Sequence, residues 1–256
     1  MRTVVALLKP RYHASFVTVA VGALLFAERP DGLLVLRLAA LYISFNLLLY
    51  GGIYTFNDIA DRESDARHSV KRMRPVASGR LGVKAATAIG GSLCMAGTAM
   101  AAALFPTAIL ACYVAVLTLN AAYSCGGRAI PFLDVALNAA PHAVRFLMGS
   151  LLVNRVPRPG HLVAWFCLAA GVSCIRRLVE KEAGGDAARP ALRTYSAAGL
   201  ALAADIGLSA ILILWVTDGR DSAGFYAIVI PTYLLLVVSA RRVPVARFGF
   251  ERLWLR

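Results

Sequence analysis

Eight apolar runs set the plan of this chain, at approximately residues 13–28, 35–57, 83–103, 106–123, 131–153, 160–180, 195–216 and 223–240. Most approach or exceed the roughly 20 residues that a helix needs to cross a bilayer core. A backbone in lipid must satisfy its own polar groups, so such runs fold as helices. The spacing predicts an all-α fold: a polytopic transmembrane helical bundle of about eight spans around a central cavity. Residues 1–256 are expected to form a single integral membrane domain. A hydrophobic share of 59% and a mean hydropathy of +0.68 agree with that class. Lys9, Pro10 and Arg11 precede the first run with no small-residue cleavage site, so no cleaved signal is expected. The cysteines Cys94, Cys112, Cys125, Cys167 and Cys174 lack metal-ligand spacing and read as small packing residues.

The net charge of +13 raises nucleic acid as a partner, but the placement of the charge excludes it. Eight spans put both termini on one side. That side carries 21 of the 27 Lys and Arg residues, and the other carries only Arg29, Arg37, Arg155, Arg158 and Arg220. Arg145 lies within a span. The positive-inside rule then predicts a multi-pass protein of the cell membrane with both termini and the active site cytoplasmic. The basic loops read as topology signals, contacts to membrane lipids and sites for a diphosphate. No basic surface module is left over for nucleic acid.

The second run ends in Asn57-Asp58-Ile59-Ala60-Asp61-Arg62-Glu63-Ser64-Asp65. Acids at the end of a membrane helix are costly and mark function. Asp58, Asp61 and Asp65 stand at i, i+3 and i+7, one face of a continuous helix. Three such carboxylates repel one another unless a cation bridges them, and hard oxygen ligands suit Mg²⁺. Lys71-Arg72-Met73-Arg74-Pro75 and Ser78-Gly79-Arg80 follow. Acids for a metal beside cations for phosphate make a diphosphate-binding constellation. A transporter or lipid-binding protein would leave that pairing without a use.

Two polar stripes extend the pattern into the membrane. Asn46, Tyr50, Tyr54 and Asn57 recur at spacings of four, four and three. Asp134, Asn138, His142, Arg145 and Gly149 fall within an arc of roughly 80° on the fifth span. Such faces turn from lipid toward protein or a cavity. Arg145 then needs a partner, and both Asp134 and a ligand phosphate are candidates.

The Asn57–Asp65 run and the Lys71–Gly79 stretch closely resemble the UbiA superfamily of intramembrane prenyltransferases, and the resemblance covers most of the chain. It implies that the Asp134–Gly149 face, which follows Tyr123-Ser124, lines the substrate cavity. The family's second acidic motif, K-D-x-x-D-x-x-x-D, is degraded here: the aligned residues are Arg176, Arg177, Glu180 and Gly184. A shifted register would recruit Glu182 and Asp186. Arg176, Arg177, Glu180, Arg193 and Tyr195 resemble instead the branch that transfers phosphoribosyl groups to polyprenyl phosphate. That branch carries a Lys near the position of Ser15, which this chain lacks, and the short basic stretch after Arg241 is not expected to form the ninth span common in the family.

The mechanism expected first is Mg²⁺-dependent prenyl transfer. Asp58, Asp61 and Asp65 hold the metal on an isoprenyl diphosphate. Lys71, Arg72 and Arg74, with Arg176 or Arg177, neutralise the departing diphosphate. Glu180 completes the catalytic set. Tyr50, Tyr54 and Tyr123 shield the allylic cation. Asn57, Asp134, Asn138, His142, Arg145 and Arg193 bind substrate, and a lipophilic or aromatic acceptor captures the cation. A terpene cyclase would capture it with an internal double bond. A phosphoribosyltransferase would use phosphoribosyl diphosphate as donor.

Overall fold

A computed structural model describes residues 9–67, 71–182 and 190–242, and it is helical throughout, with no strand among the described residues. Each predicted run is a helix. They are α1 (Val17–Phe26), α2 (Gly32–Ala60), α4 (Val83–Leu104), α5 (Thr107–Ser124), α6 (Leu133–Leu152), α7 (Pro159–Glu182), α9 (Ala197–Asp218) and α10 (Arg220–Arg242). Short helices α3 (Arg62–Ala66) and α8 (Pro190–Thr194) lie in the connections. Six of the long helices are long and apolar enough to cross a membrane. The first apolar helix, His13–Phe26, is shorter. Helix α6 stands outside that set, its apolar run interrupted by Asp134, Asn138, His142 and Arg145. The count of about eight spans is therefore approximate.

Large apolar side chains face outward, as a lipid-embedded protein requires. On α9, Leu202, Ile206 and Ile213 are each about 60% exposed. The Gly184 and Asp186 positions of the second motif, and the tail after Arg242, lie outside the described residues.

The helices group into two compact units, residues up to 120 with 148–155, and residues 121–147 with 156 onward. In the first unit α2 packs against α4. The approach is close because two glycines allow it. A Cβ at Gly97 would lie 2.5 Å from the Ser44 carbonyl oxygen, and one at Gly52 would lie 2.6 Å from that of Gly90. Leu41, Phe45, Leu49 and Tyr113 form a buried core, with the Ser44 and Tyr113 hydroxyls 2.7 Å apart. Residues Tyr42–Leu49 of α2 are π-helical, a wide turn that residue spacing does not reveal. In the second unit α7 packs along α9. Tyr233 Oη donates to the Ala204 carbonyl at 2.5 Å, and Phe146 stacks on Trp165 with centroids 4.7 Å apart.

Candidate functional site

The predicted single face of three acids is broken at its middle member. Helix α2 ends at Ala60, Asp61 has φ −91° and ψ 1°, and α3 starts at Arg62. A ψ near zero does not continue an α-helix. Asp58 and Asp65 are nonetheless drawn together, buried to 1% and 3% exposure, while Asp61 stays half-buried. Arg74 joins them. Its Nη1 donates to Asp58 Oδ1 at 3.2 Å and to Asp65 Oδ2 at 2.6 Å. Arg74, expected on phosphate, is thus spent on the carboxylates.

A second cation comes from a position to which the sequence assigned no role. Lys9 Nζ donates to Asp58 Oδ1 at 2.6 Å and lies 5.4 Å from the Tyr54 ring centroid. Burial holds the Lys9 ammonium below the ordinary lysine range, against the opposing pull of Asp58. Lys9 sits 49 residues before Asp58 in the chain, so no local spacing signals the pair.

These cations neutralise the acids, and among the described residues no group of three or more His, Cys, Asp or Glu converges as an ion site. The donor set still fits a hard cation at one point. Asp58 Oδ2 is buried with no hydrogen-bond partner. An unpaired carboxylate oxygen beside a second carboxylate is an open ligand position.

The remaining first-unit residues line up as follows. Tyr50 is buried and Tyr54 half-buried, with ring centroids 5.5 Å apart. Asn46 is buried and donates to the His13 carbonyl at 3.5 Å, a long contact. Asn57 is half-buried. Lys71 and Arg72 are exposed on a 3₁₀ turn, Lys71–Met73.

The second unit contains its own buried charge network. Arg177, only 1% exposed, donates from Nε to Asp134 Oδ2 at 2.6 Å and from Nη1 to Glu180 Oε2 at 2.9 Å. Arg176 Nε donates to Glu180 Oε1 at 3.0 Å. The i+3 and i+4 spacing from Arg177 and Arg176 puts Glu180 within reach of both. Tyr195 Oη donates to Asp134 Oδ1 and accepts from the Phe132 amide. Asp134, offered above as a partner for Arg145, has both oxygens taken by Arg177 and Tyr195. The physical reason is proximity of a second buried guanidinium on α7, which the α6 pattern alone could not reveal. Arg145 is buried and His142 half-buried on the same helix. Asn138 Nδ2 donates to Ser173 Oγ at 3.0 Å. Tyr123 is half-buried at the end of α5, and Arg193 is exposed on α8.

Comparison with known proteins places this geometry. The UbiA prenyltransferase family matches residues 15–245. The decaprenyl-phosphate phosphoribosyltransferase of Corynebacterium glutamicum is 26% identical over 190 residues, 70% of this chain and 56% of that protein. The protein of the same name from Mycobacterium tuberculosis is 25% identical over 209 residues, 76% of this chain and 67% of that protein. The chain therefore spans little more than half the length of the first of these relatives. A UbiA homologue from Archaeoglobus fulgidus, solved bound to GPP and Mg²⁺, superposes with a TM-score of 0.80 at 18% identity. That match covers 99% of this chain and 95% of the other. The same homologue has also been solved with DMAPP and Mg²⁺ and with Cd²⁺. At such identity the likeness establishes the fold. With the sequence match over most of the chain and six membrane-length helices, the protein is an integral membrane member of the UbiA prenyltransferase family, a family of transferases.

Proposed function

We propose that this chain transfers a phosphoribosyl group from phosphoribosyl diphosphate to a polyprenyl phosphate. The observation that carries the proposal is Arg177. Where prenyl-transferring relatives resemble one another in placing an acid, this chain buries a guanidinium between Asp134 and Glu180. Its second half therefore carries arginines where a second set of metal-binding acids would stand, and both, expected on the departing diphosphate, are paired within the protein: Arg176 with Glu180, and Arg177 with Glu180 and Asp134. The two curated relatives of similar sequence, both named decaprenyl-phosphate phosphoribosyltransferase, support the same choice.

Asp58 and Asp65, with Asp61 at the helix break, would hold a divalent metal ion. When bound, that ion supplies charge neutralisation for a diphosphate leaving group. Arg74 keeps the two buried carboxylates together, and Lys71 and Arg72 present exposed cations beside it for phosphate oxygens. An oxygen of the lipid phosphate forms the new bond to the anomeric carbon. The bond from that carbon to diphosphate breaks, and diphosphate leaves with the electron pair. The attacking phosphate is already anionic at neutral pH, so no side chain has to remove a proton from it. The positive-inside distribution supports a cytoplasmic position for the acidic motif and both termini.

Prenyl transfer is the second reading, favoured by the Tyr50–Tyr54 ring pair next to the Lys9–Asp58 contact. Aromatic faces suit an allylic cation. One experiment separates the two. Purified protein with Mg²⁺ is given labelled phosphoribosyl diphosphate and polyprenyl phosphate, and in parallel geranyl, farnesyl and geranylgeranyl diphosphates with and without aromatic acceptors. Label entering the lipid only from the ribosyl donor is the expected result. Product only from an isoprenyl diphosphate overturns it: with an acceptor this indicates prenyl transfer, and as cyclised hydrocarbon alone it indicates a cyclase.

A further inference from the structure

The end of α2 remote from Asp58 holds a feature that the reaction does not use. A cavity of about 520 Å³ lies between the Phe26–Leu34 turn, Arg37 and the chain at Val153–Arg155. This volume is within the range of ordinary small-ligand sites. Of the five arginines that the charge bias leaves on the sparsely charged side, three line this one cavity: Arg29, Arg37 and Arg155. Clustering cations on the face that otherwise avoids them needs an anion to offset their repulsion.

The local acids do not supply enough. Glu28 pairs with Arg155 at 2.5 Å. Asp31 caps the start of α2, its Oδ1 accepting from the Leu34 amide at 2.7 Å. Arg29 and Arg37 have no hydrogen bond or ion pair among the described residues. Arg155 is brought to the cavity by the turn after α6, where Asn154 adopts φ 56° and the Arg155 amide bonds to the Ser150 carbonyl at 3.0 Å. The lining mixes exposed apolar and charged side chains. Leu33 lines the cavity at 54% exposure, and Val35 and Leu36, next along the helix, are 64% and 69% exposed. Large apolar side chains of a membrane helix beside uncommitted arginines mark the level where acyl chains meet headgroups.

We propose that this cavity binds the phosphate of an anionic phospholipid, through the guanidinium groups of Arg29 and Arg37, with acyl chains along Leu33 and Leu36. Planar guanidinium forks match phosphate oxygens in pairs, which an ammonium cannot do. The site is separate from the acidic motif, so it stands whichever donor the protein uses.

Native mass spectrometry of the full-length detergent-purified protein tests it, with phosphatidylglycerol or phosphatidylcholine added, and with inorganic phosphate as competitor. The wild type is expected to retain one phosphatidylglycerol in preference to phosphatidylcholine. R29Q/R37Q should lose that preference by roughly tenfold or more, while R220Q, an exposed arginine outside the cavity, should keep it. Displacement of the lipid by millimolar inorganic phosphate would assign the phosphate site to a soluble ligand. Failure of phosphate to displace it supports the lipid headgroup. Equal retention of the two lipids by the wild type, or an unchanged preference in R29Q/R37Q, overturns the proposal. A thermal melt of each variant confirms that any loss is not loss of fold.

Discussion

Arg177 and Asp134 form a 2.6 Å ion pair in which neither side chain is more than 1% exposed. The pair joins α7 to α6; Arg177 Nη1 also donates to Glu180, and Tyr195 donates to the other Asp134 oxygen. A buried pair of this kind is weak evidence for net stability, because desolvation offsets the attraction. Removing one member is a different matter, since it leaves a charge without a partner.

Arg177→Met is therefore expected to destabilise the protein by about 3–5 kcal/mol, and Asp134→Leu by a similar amount. The double variant should lose much less than the sum of the two. Thermal unfolding in detergent measures all three. Additive losses would show that the two side chains act independently.

At the first acidic motif, Asp58→Asn is expected to lower turnover by a hundredfold or more and to weaken Mn²⁺ binding measured by electron paramagnetic resonance. The buried, unpartnered Asp58 Oδ2 motivates this. Unchanged metal binding in a folded variant would remove Asp58 from the ligand set.

Lys9 competes with any metal for Asp58 Oδ1. Lys9→Met leaves Asp58 paired with Arg74 and should lower the Mg²⁺ concentration for half-maximal activity by about three- to tenfold, which corresponds to about 1 kcal/mol. A raised Mg²⁺ requirement would mean that Lys9 helps to assemble the metal site.

Helix approach gives a control pair of substitutions. Gly97→Val should prevent α4 from meeting α2, because its Cβ would fall on the Ser44 carbonyl and the Leu49 amide. Gly91→Ala meets nothing within 4 Å and should be tolerated. Yield of monodisperse protein in detergent reads both. Comparable yields would show that α2 and α4 can separate without loss.

The helices themselves were legible because lipid permits few alternatives: each apolar run had to satisfy its own backbone. The acidic motif was legible too, since carboxylates at the end of an apolar run have few structural uses. The break at Asp61 was not visible, because periodicity assumes a continuous helix. Nor was the π-helical stretch Tyr42–Leu49, which depends on how α2 meets its neighbours.

What the sequence determined by itself was that the apolar runs are helices, roughly where each lies, the family and the acids that need a cation. Tertiary structure decided which cation each acid received. Asp58 took Lys9 and Arg74, from 49 and 16 residues away, and Asp134 took Arg177, from 43 residues away. A charge withdrawn from water must be paired. That requirement is written in the sequence, but the partner is chosen only by which helices approach closely enough to share a buried contact.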